Sequence, residues 1–356
     1  MIDKNRITQH RFLSVKYFRN LTREQYFYLW VLVGFIVLAT VISWGFSRDS
    51  ENYHRMFEAY GASGWDVLFA EMFQREAFLL IVSKALYQLG LGSFFLFLIY
   101  SVISLSIKFY LIDKHSRDKV LSLSLFASYF FILHDSTQIR FSMAVAFAYL
   151  GLHYLASNRK LLFAAIVTFS AIIFHVAVLG FIVMLFFTTK KSLLWILGLV
   201  IVALLSYSVN FNVFLSDLVG GVINYFDIHG TFIDKLNKYL RKPESGVHFG
   251  LFNWRVLLVY FCVIVVYQYR NVFSKYELLC YNALVLSVFV YIFMKDVVEI
   301  QYRISGLFGF SLVFLVPYIH QWLSEHMSKR NAYIILLSFN MVYLLKFAFY
   351  DKMIII

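Results

Sequence analysis

The amino-acid sequence predicts an all-α polytopic integral membrane protein with about 10–12 transmembrane or half-membrane helices. Hydrophobic residues make up 61% of the 356 residues, aromatic residues 20% and charged residues only 15%. The mean hydropathy is +0.72, and only 2 prolines interrupt the chain. This composition excludes a soluble globular domain. We therefore expect a single membrane domain over residues 1–356.

Basic residues at the start of the chain predict its orientation. The positive-inside rule assigns residues 1–25 to the cytoplasm. The first apolar run begins near Tyr26 and has no small-residue cleavage site before Arg48, so Phe27–Phe46 is predicted to be a retained span that exits outward. The net charge of +12 is dispersed over short loops, which indicates orientation rather than nucleic-acid binding. The basic side chains of the first segment are Lys4, Arg6, Arg11, Lys16, Arg19 and Arg23.

Residues 47–93 are expected to form a periplasmic loop that contains an interfacial or re-entrant helix. Arg48–Arg75 is polar and has an amphipathic helical pattern. The next apolar run, Ala77–Leu89, contains Lys84 and is shorter than the roughly twenty residues that a span requires. Phe94–Ile112 is long enough to cross and ends in a basic loop. That loop lies in the cytoplasm only if Ala77–Leu89 does not cross.

A polar turn, His134–Arg140, joins two apolar runs and is the centre of the predicted site. Val120–Leu133 is predicted to run outward to this turn, and Phe141–Ala156 is predicted to return. Arg140 then lies at the edge of the hydrocarbon layer. A cation there is costly unless an anion or water meets it.

A histidine interrupts the following apolar run, Leu161–Phe187. A single crossing would place Lys190 and Lys191 outside and invert every later loop. We therefore favour a hairpin or a broken pair of helices that meet at His175 near the outer leaflet. A histidine within such a run is expensive and usually functional, although a structural hydrogen bond to a neighbouring helix is an alternative.

The rest of the chain is predicted to alternate between spans and loops. A long periplasmic loop is expected over residues 210–253, and Lys295–Arg303 is expected to be an outer turn. The predicted spans are Leu193–Val209, Trp254–Tyr267, Leu278–Met294, Ile304–Leu323 and Tyr333–Phe349.

Three arginines at the outer ends of predicted spans indicate a phosphate site. Arg140, Arg255 and Arg303 each lie at the depth where the diphosphate of a lipid head would be found. A guanidinium stays charged, and its planar fork donates two parallel hydrogen bonds to phosphate oxygens. Each arginine could instead snorkel to the interface, an alternative that weighs more for Arg255 than for the other two.

Other polar residues admit two interpretations each. Glu76 follows Arg75, so a plain interfacial ion pair is an alternative to a catalytic role. Tyr53, Trp65 and Tyr239 lie in outer loops, where they could stack on sugar rings or belong to the membrane belt. The 2 cysteines, Cys262 and Cys280, lie inside apolar runs without metal-ligand spacing, so neither a disulfide framework nor a zinc site is indicated.

The order of these features resembles the EpsG/Wzy-type family of bacterial polysaccharide polymerases over roughly residues 27–320. The first motifs are an Asp-x-x-x-Tyr after the first span and a short apolar helix opened by an acidic residue. The later motifs open a span with an arginine, surround a histidine and end on a late outer arginine. In this chain they are Asp49 and Tyr53, Arg75-Glu76-Ala77-Phe78, Gln138-Ile139-Arg140 with Ala144, Ile173-Phe174-His175-Val176-Ala177, and Tyr302-Arg303-Ile304.

The resemblance implies a GT-C-like enzyme of the bacterial inner membrane with its active site facing the periplasm. Such an enzyme polymerises undecaprenyl-diphosphate-linked oligosaccharides. It moves the growing chain from its lipid carrier to the non-reducing end of a new lipid-linked unit. The expected partners are these substrates, membrane lipid and a chain-length regulator protein, and no cofactor or nucleic acid is expected.

The resemblance also gives the candidate residues roles. Arginines suit the negative charge that develops on a leaving diphosphate, and the attacking sugar hydroxyl needs a proton acceptor. The diphosphate ligands are expected to be Arg140 and Arg303, with Arg255 and Arg75. The proton acceptor is expected to be His175 or Glu76, and the sugar-binding residues Asp49, Tyr53, Gln138 and Tyr239.

Two other function classes remain open from the sequence. Asp49-Ser50-Glu51 resembles the acidic pair of metal-dependent glycosyltransferases that use polyprenyl-phosphate sugars. A lipid-linked oligosaccharide flippase or transporter is the second alternative. It would be expected to carry charge along a path through the membrane, whereas charge in the middle of the predicted spans is nearly absent. We expect a reaction that needs no divalent metal.

Overall fold

The computed structural model describes residues 22–71, 76–188, 198, 201, 254–294, 298–350 and 353–354. Most of these residues are helical. Three helices continue directly as π-helices: α1 over Ile42–Phe46, α6 over Phe126–Asp135 and α13 over Lys346–Tyr350. A 3₁₀ helix covers Val176–Leu185. The α-helices are α1 (Arg23–Val41), α2 (Ser50–Ala62), α3 (Trp65–Glu71), α4 (Ala77–Gln88), α5 (Ser93–His115), α6 (Lys119–Leu125), α7 (Ile139–Ala156), α8 (Lys160–Ile173), α9 (Trp254–Tyr267), α10 (Lys275–Phe293), α11 (Val298–Gly309), α12 (Leu312–His326) and α13 (Lys329–Leu345).

Among the described residues, four helices are long and apolar enough to cross a membrane: Arg23–Phe46, α5, α7 and α10. A fifth candidate span is the pair α11 and α12, which is bent by 59°. The predicted all-α polytopic membrane fold is thus confirmed. The sequence fixes two of the helix starts by reciprocal capping boxes, Thr22 with Gln25 and Ser274 with Glu277.

Two long helices pack antiparallel and support the N-terminal part of the fold. The Tyr28 hydroxyl of α1 donates to the Phe109 carbonyl of α5 at 2.9 Å. At the other end of the pair, the rings of Trp44 and Phe94 lie 5.9 Å apart. α4 has 12 residues, too few to cross as a helix, and it packs against α2 and α5.

The apolar run that contains His175 forms the predicted hairpin. α8 ends at Ile173, and the chain reverses before the 3₁₀ helix. The rings of Phe163 in α8 and Phe181 in the 3₁₀ helix lie 6.3 Å apart, which is possible only if the two segments fold back on each other. His175 caps the second segment, because its Nδ1 accepts from the Ala177 backbone N–H at 3.2 Å.

The structure corrects two predicted turns. His134–Arg140 is not a surface turn: four of its residues, His134 to Thr137, are each at most 2% exposed. Lys295–Arg303 is not simply a turn, because Val298–Gly309 is a helix that includes Arg303. In the first place the polar residues are covered by neighbouring helices, and in the second Gln301 is 1% exposed; hydropathy along one segment cannot register such burial. The predicted span Leu193–Val209 falls almost wholly, and the 210–253 loop wholly, outside the described residues.

Candidate active site

Arg140 forms an ion pair with Glu76. Arg140 is the second residue of α7, and Glu76 is the residue immediately before α4. The Arg140 Nη1 donates to Glu76 Oε2, and the two side chains are 22% and 24% exposed. This pair lies at the meeting point of three helices, because the Tyr53 ring of α2 also faces the guanidinium, at 5.4 Å from its centre. The interfacial pair that the sequence suggested for Glu76 is thus made with Arg140.

Two polar atoms beside this ion pair are buried and have no hydrogen-bond partner in the structure. They are Arg140 Nε and the Tyr100 hydroxyl. Buried polar groups nearly always have a hydrogen-bond partner. Two buried polar atoms without one, next to a partly exposed guanidinium, indicate a place where a polar ligand binds. Tyr53 itself is only 4% exposed. Burial raises the pKa of the Tyr53 phenol, and the adjacent guanidinium of Arg140 lowers it in part. The same burial leaves little ring surface for stacking on a sugar.

A second ion pair holds the turn that precedes Arg140. Lys108 Nζ donates to Asp135 Oδ2 at 2.7 Å, and both side chains are 0% exposed. The other carboxylate oxygen accepts from Ser104 Oγ at 2.7 Å and from Ser142 Oγ at 2.5 Å. Ser142 lies two residues after Arg140, so this network anchors the first turn of α7 to α5.

His175 faces Arg303 on the other side of the site. Arg303 Nη1 lies 3.2 Å from His175 Nε2. A guanidinium only donates, so Nε2 is the acceptor in this contact. Nδ1 meets the Ala177 N–H. A neutral imidazole has one acceptor nitrogen, so the two contacts belong to alternative tautomers: Nε2 accepts from Arg303 when Nδ1 carries the proton, and Nδ1 accepts from the Ala177 N–H when Nε2 carries it.

Aromatic rings connect the Arg140 side of the site to the His175 side. Phe141, next to Arg140, has its ring 5.3 Å from the His175 ring. Phe78, two residues after Glu76, has its ring 5.2 Å from that of Phe174. These ring contacts connect the helices that carry Arg140 and Glu76 to the segment around His175.

The remaining predicted residues fall into two groups. Asp49 directly precedes α2 and lies 3.7 Å from Arg48 Nε. Gln138 directly precedes α7, and its carbonyl accepts from the Ser142 N–H at 2.8 Å. The side chains of Arg75, Tyr239 and Arg255 lie outside the described part of the chain, although the backbone of Arg255 belongs to α9.

Sequence reasoning missed the Lys108 and Asp135 pair. Lys108 lies inside the predicted span Phe94–Ile112, and Asp135 lies in the predicted outer turn His134–Arg140. The signal was present, because a lysine within an apolar helix requires a partner. Charge inside the helical bundle is thus not absent, as the sequence suggested, although here it is sealed and paired rather than arranged along a path.

No group of three or more His, Cys, Asp or Glu side chains gathers within the described residues in a way that could hold a metal ion.

The family model of the EpsG family matches residues 26–354 of the chain. No curated protein and no solved structure matches the chain.

Proposed function

Because this chain belongs to the EpsG family, whose membership supports a polysaccharide-polymerase-type function in general, we propose a specific reaction. The protein polymerises oligosaccharide units linked to undecaprenyl diphosphate, at the periplasmic face of the bacterial inner membrane. It transfers the growing chain from its lipid carrier to the non-reducing end of the next lipid-linked unit. A chain-length regulator is a further proposed partner.

The observation that carries this proposal is the contact between Arg303 Nη1 and His175 Nε2 at 3.2 Å. It joins a phosphate-binding group to a group that can accept a proton. When the donor diphosphate binds Arg303, the guanidinium turns toward phosphate oxygens, which attract it more strongly than a neutral imidazole does. In the tautomer with its proton on Nδ1, the Nε2 lone pair can then accept from the acceptor hydroxyl. Binding of the donor thereby prepares the base.

The reaction then balances as follows. The acceptor hydroxyl oxygen forms a bond to the anomeric carbon of the growing chain, and the bond from that carbon to the diphosphate oxygen breaks. The hydroxyl proton passes to His175 Nε2. The electron pair of the broken bond leaves on undecaprenyl diphosphate, whose added charge is stabilised by Arg303 and Arg140. The imidazolium later returns its proton to water.

Arg140 supplies the second cation of the proposed diphosphate site. Its Nε has no hydrogen-bond partner, and its ion pair with Glu76 is partly exposed, so it can exchange the carboxylate for phosphate oxygens. We assign the proton acceptor to His175 rather than Glu76, because imidazole is ordinarily the stronger base. Asp49 and Gln138 remain proposed sugar contacts near this end of the site.

The experiment is polymerisation by purified full-length protein from lipid-linked repeat units, with products separated by length. His175→Gln keeps a polar ring-sized group but lacks the basic nitrogen, and it should lower kcat by about 100-fold or more at normal abundance. His320→Gln is the matched control, since it makes the same exchange at a histidine that contacts the Lys329 carbonyl at 3.2 Å, away from the site. A ladder of normal length and rate from His175→Gln would refute the assignment.

The proposal includes a metal-independent reaction, because arginines rather than carboxylates face the diphosphate. Excess chelator in the same assay should leave polymer formation unchanged. Loss of product that magnesium or manganese restores would instead favour a glycosyltransferase built on Asp49 and Glu51.

A further inference from the structure

An apolar cavity lies behind the site, between α6 with its π-helical extension and α9, α10, α11 and α13. It has about 990 Å³ of empty space, counting its open mouth. Its walls are almost entirely carbon, with aromatic rings such as Phe130 and Phe339 among them. About 150 Å³ of this space admits the centre of a water-sized sphere, which is the size of a cavity that binds a small apolar molecule such as benzene. Nothing in the proposed chemistry uses this space.

One face of α11, which carries three small residues, forms part of the cavity. Tyr302, Ser305, Gly306 and Gly309 line it, and their spacing places them on one face of the helix. They extend for about 10 Å along the axis. A Cβ built at Gly309 would meet only the Ser287 hydroxyl, at 3.9 Å, so the missing side chain leaves usable space. A narrow apolar chain fits such a slot better than a sugar does.

The cavity is adjacent to the site. Arg303, which faces His175, directly follows the cavity residue Tyr302. On the other side His134 forms a thin wall: its ring lies 5.6 Å from that of Phe130 and 5.1 Å from that of Phe141. Phe141 in turn contacts His175. A ligand whose head binds Arg303 could therefore extend its tail into the cavity.

We propose that this cavity binds the first isoprene units of the polyprenyl carrier, those nearest its phosphate. This inference rests on the proposed function, because it takes the lipid-linked donor as the ligand of Arg303. The complete carrier chain is much longer than the cavity, so the remaining units extend through the mouth into the surrounding lipid. Burying the first units fixes the position of the diphosphate relative to the arginine and so orients the anomeric carbon.

The test is photocrosslinking with undecaprenyl phosphate as the probe, which requires binding but no polymerisation. Benzoylphenylalanine replaces Phe339 in the cavity wall, and in a control protein it replaces Trp30, which is aromatic, 71% exposed and on α1. The full-length proteins are irradiated in phosphatidylglycerol nanodiscs, and adducts are measured by intact mass. We expect an undecaprenyl phosphate adduct at position 339 and little or none at position 30.

Two further arms make the result specific. Hexadecyl phosphate, which has the same head and a straight chain, should compete poorly. Gly309→Leu should weaken labelling at position 339 by at least about tenfold, because it excludes two or more methylene groups from apolar contact. Gly34→Leu is the matched control, since a Cβ there meets nothing within 4 Å and Gly34 does not line the cavity. Both glycine variants are compared for abundance and thermal stability.

The outcomes separate this inference from the proposed function. Equal labelling at positions 30 and 339, equal competition by hexadecyl phosphate, or a phosphatidylglycerol adduct in place of the probe would overturn the isoprenoid assignment even if polymer forms. Specific labelling at position 339 without any polymerisation from lipid-linked units would support the cavity and refute the polymerase reaction. Should Gly309→Leu fail to accumulate, the wild-type comparison of positions 30 and 339 still decides.

Discussion

Two ion pairs bracket the His134–Arg140 turn, and they differ in their access to ligands. Lys108 and Asp135 are both 0% exposed, whereas Arg140 and Glu76 are 22% and 24% exposed. The sealed pair is completed by two serine hydroxyls on one carboxylate oxygen. The open pair instead leaves Arg140 Nε without a hydrogen-bond partner. One pair is fully satisfied by the protein, and the other is not.

The difference teaches what each pair does. A buried pair contributes little net stability by itself, but removing one partner leaves a charge that the interior cannot solvate. Lys108 and Asp135 therefore act on stability and on the position of the turn. A partly exposed pair in which one guanidinium N–H lacks a partner can exchange its carboxylate for a phosphate at modest cost. Arg140 and Glu76 are therefore expected to act on substrate.

The largest expected effect is loss of the folded protein on Lys108→Met. Asp135 would then be a buried carboxylate without a counter-ion, which costs about 3–5 kcal/mol. Folded yield after detergent extraction and thermal stability measure the effect. The double variant Lys108→Met with Asp135→Asn removes both charges, and it should recover most of the yield because asparagine can still bond to Ser104 and Ser142.

A Lys108→Met protein that is as stable as wild type would contradict the structural role of the sealed pair. The double variant adds a second comparison. If it is stable but polymerises slowly, the pair also positions the turn before Arg140. Normal polymerisation would confine its role to stability.

The next effect is on activity rather than stability. Arg140→Lys keeps the charge but loses the planar fork, so polymerisation should fall by at least about tenfold, which corresponds to about 1.4 kcal/mol. Arg140→Ala should fall further. Both proteins should accumulate normally, because the site is partly exposed. If Arg140 only snorkels, lysine serves equally well, and a normal polysaccharide ladder from both variants would remove Arg140 from the site.

Glu76→Gln should have a smaller effect, and its direction distinguishes two roles. If Glu76 is only the resting partner of Arg140, losing its charge makes the guanidinium more available to phosphate, so KM should fall a few-fold with kcat nearly unchanged. If Glu76 is the proton acceptor, kcat should fall by about 100-fold. Steady-state kinetics with varied lipid-linked donor separates the two results.

The smallest effect is expected from an ion pair outside this region. Lys119 donates to Asp113, and both side chains are about half exposed, 49% and 51%. Such a pair contributes about 1 kcal/mol or less. Lys119→Ala should thus change neither thermal stability nor polymer length appreciably. A loss comparable to that of Lys108→Met would show that exposure does not rank these pairs.

The sequence by itself determined the membrane class, the approximate bounds of several helices and the break at His175. Long apolar runs and their polar interruptions are local properties, and each is readable without knowing any neighbour. α9 ends where the sequence predicts, at Tyr267, because hydropathy alone bounds it there. The same reasoning singled out Arg140, Arg303 and His175 as costly residues that need a partner.

Only the tertiary structure decided which partners they have. Lys108 meets Asp135 across 27 residues, and His175 meets Arg303 across 128. Such contacts depend on how each helix is rotated and how deep its ends lie, and the apolar runs of α5 and α11 are compatible with many rotations. Packing therefore determined that one charged pair is sealed and one is open to a ligand, since burial is a property of the neighbours and not of the residue.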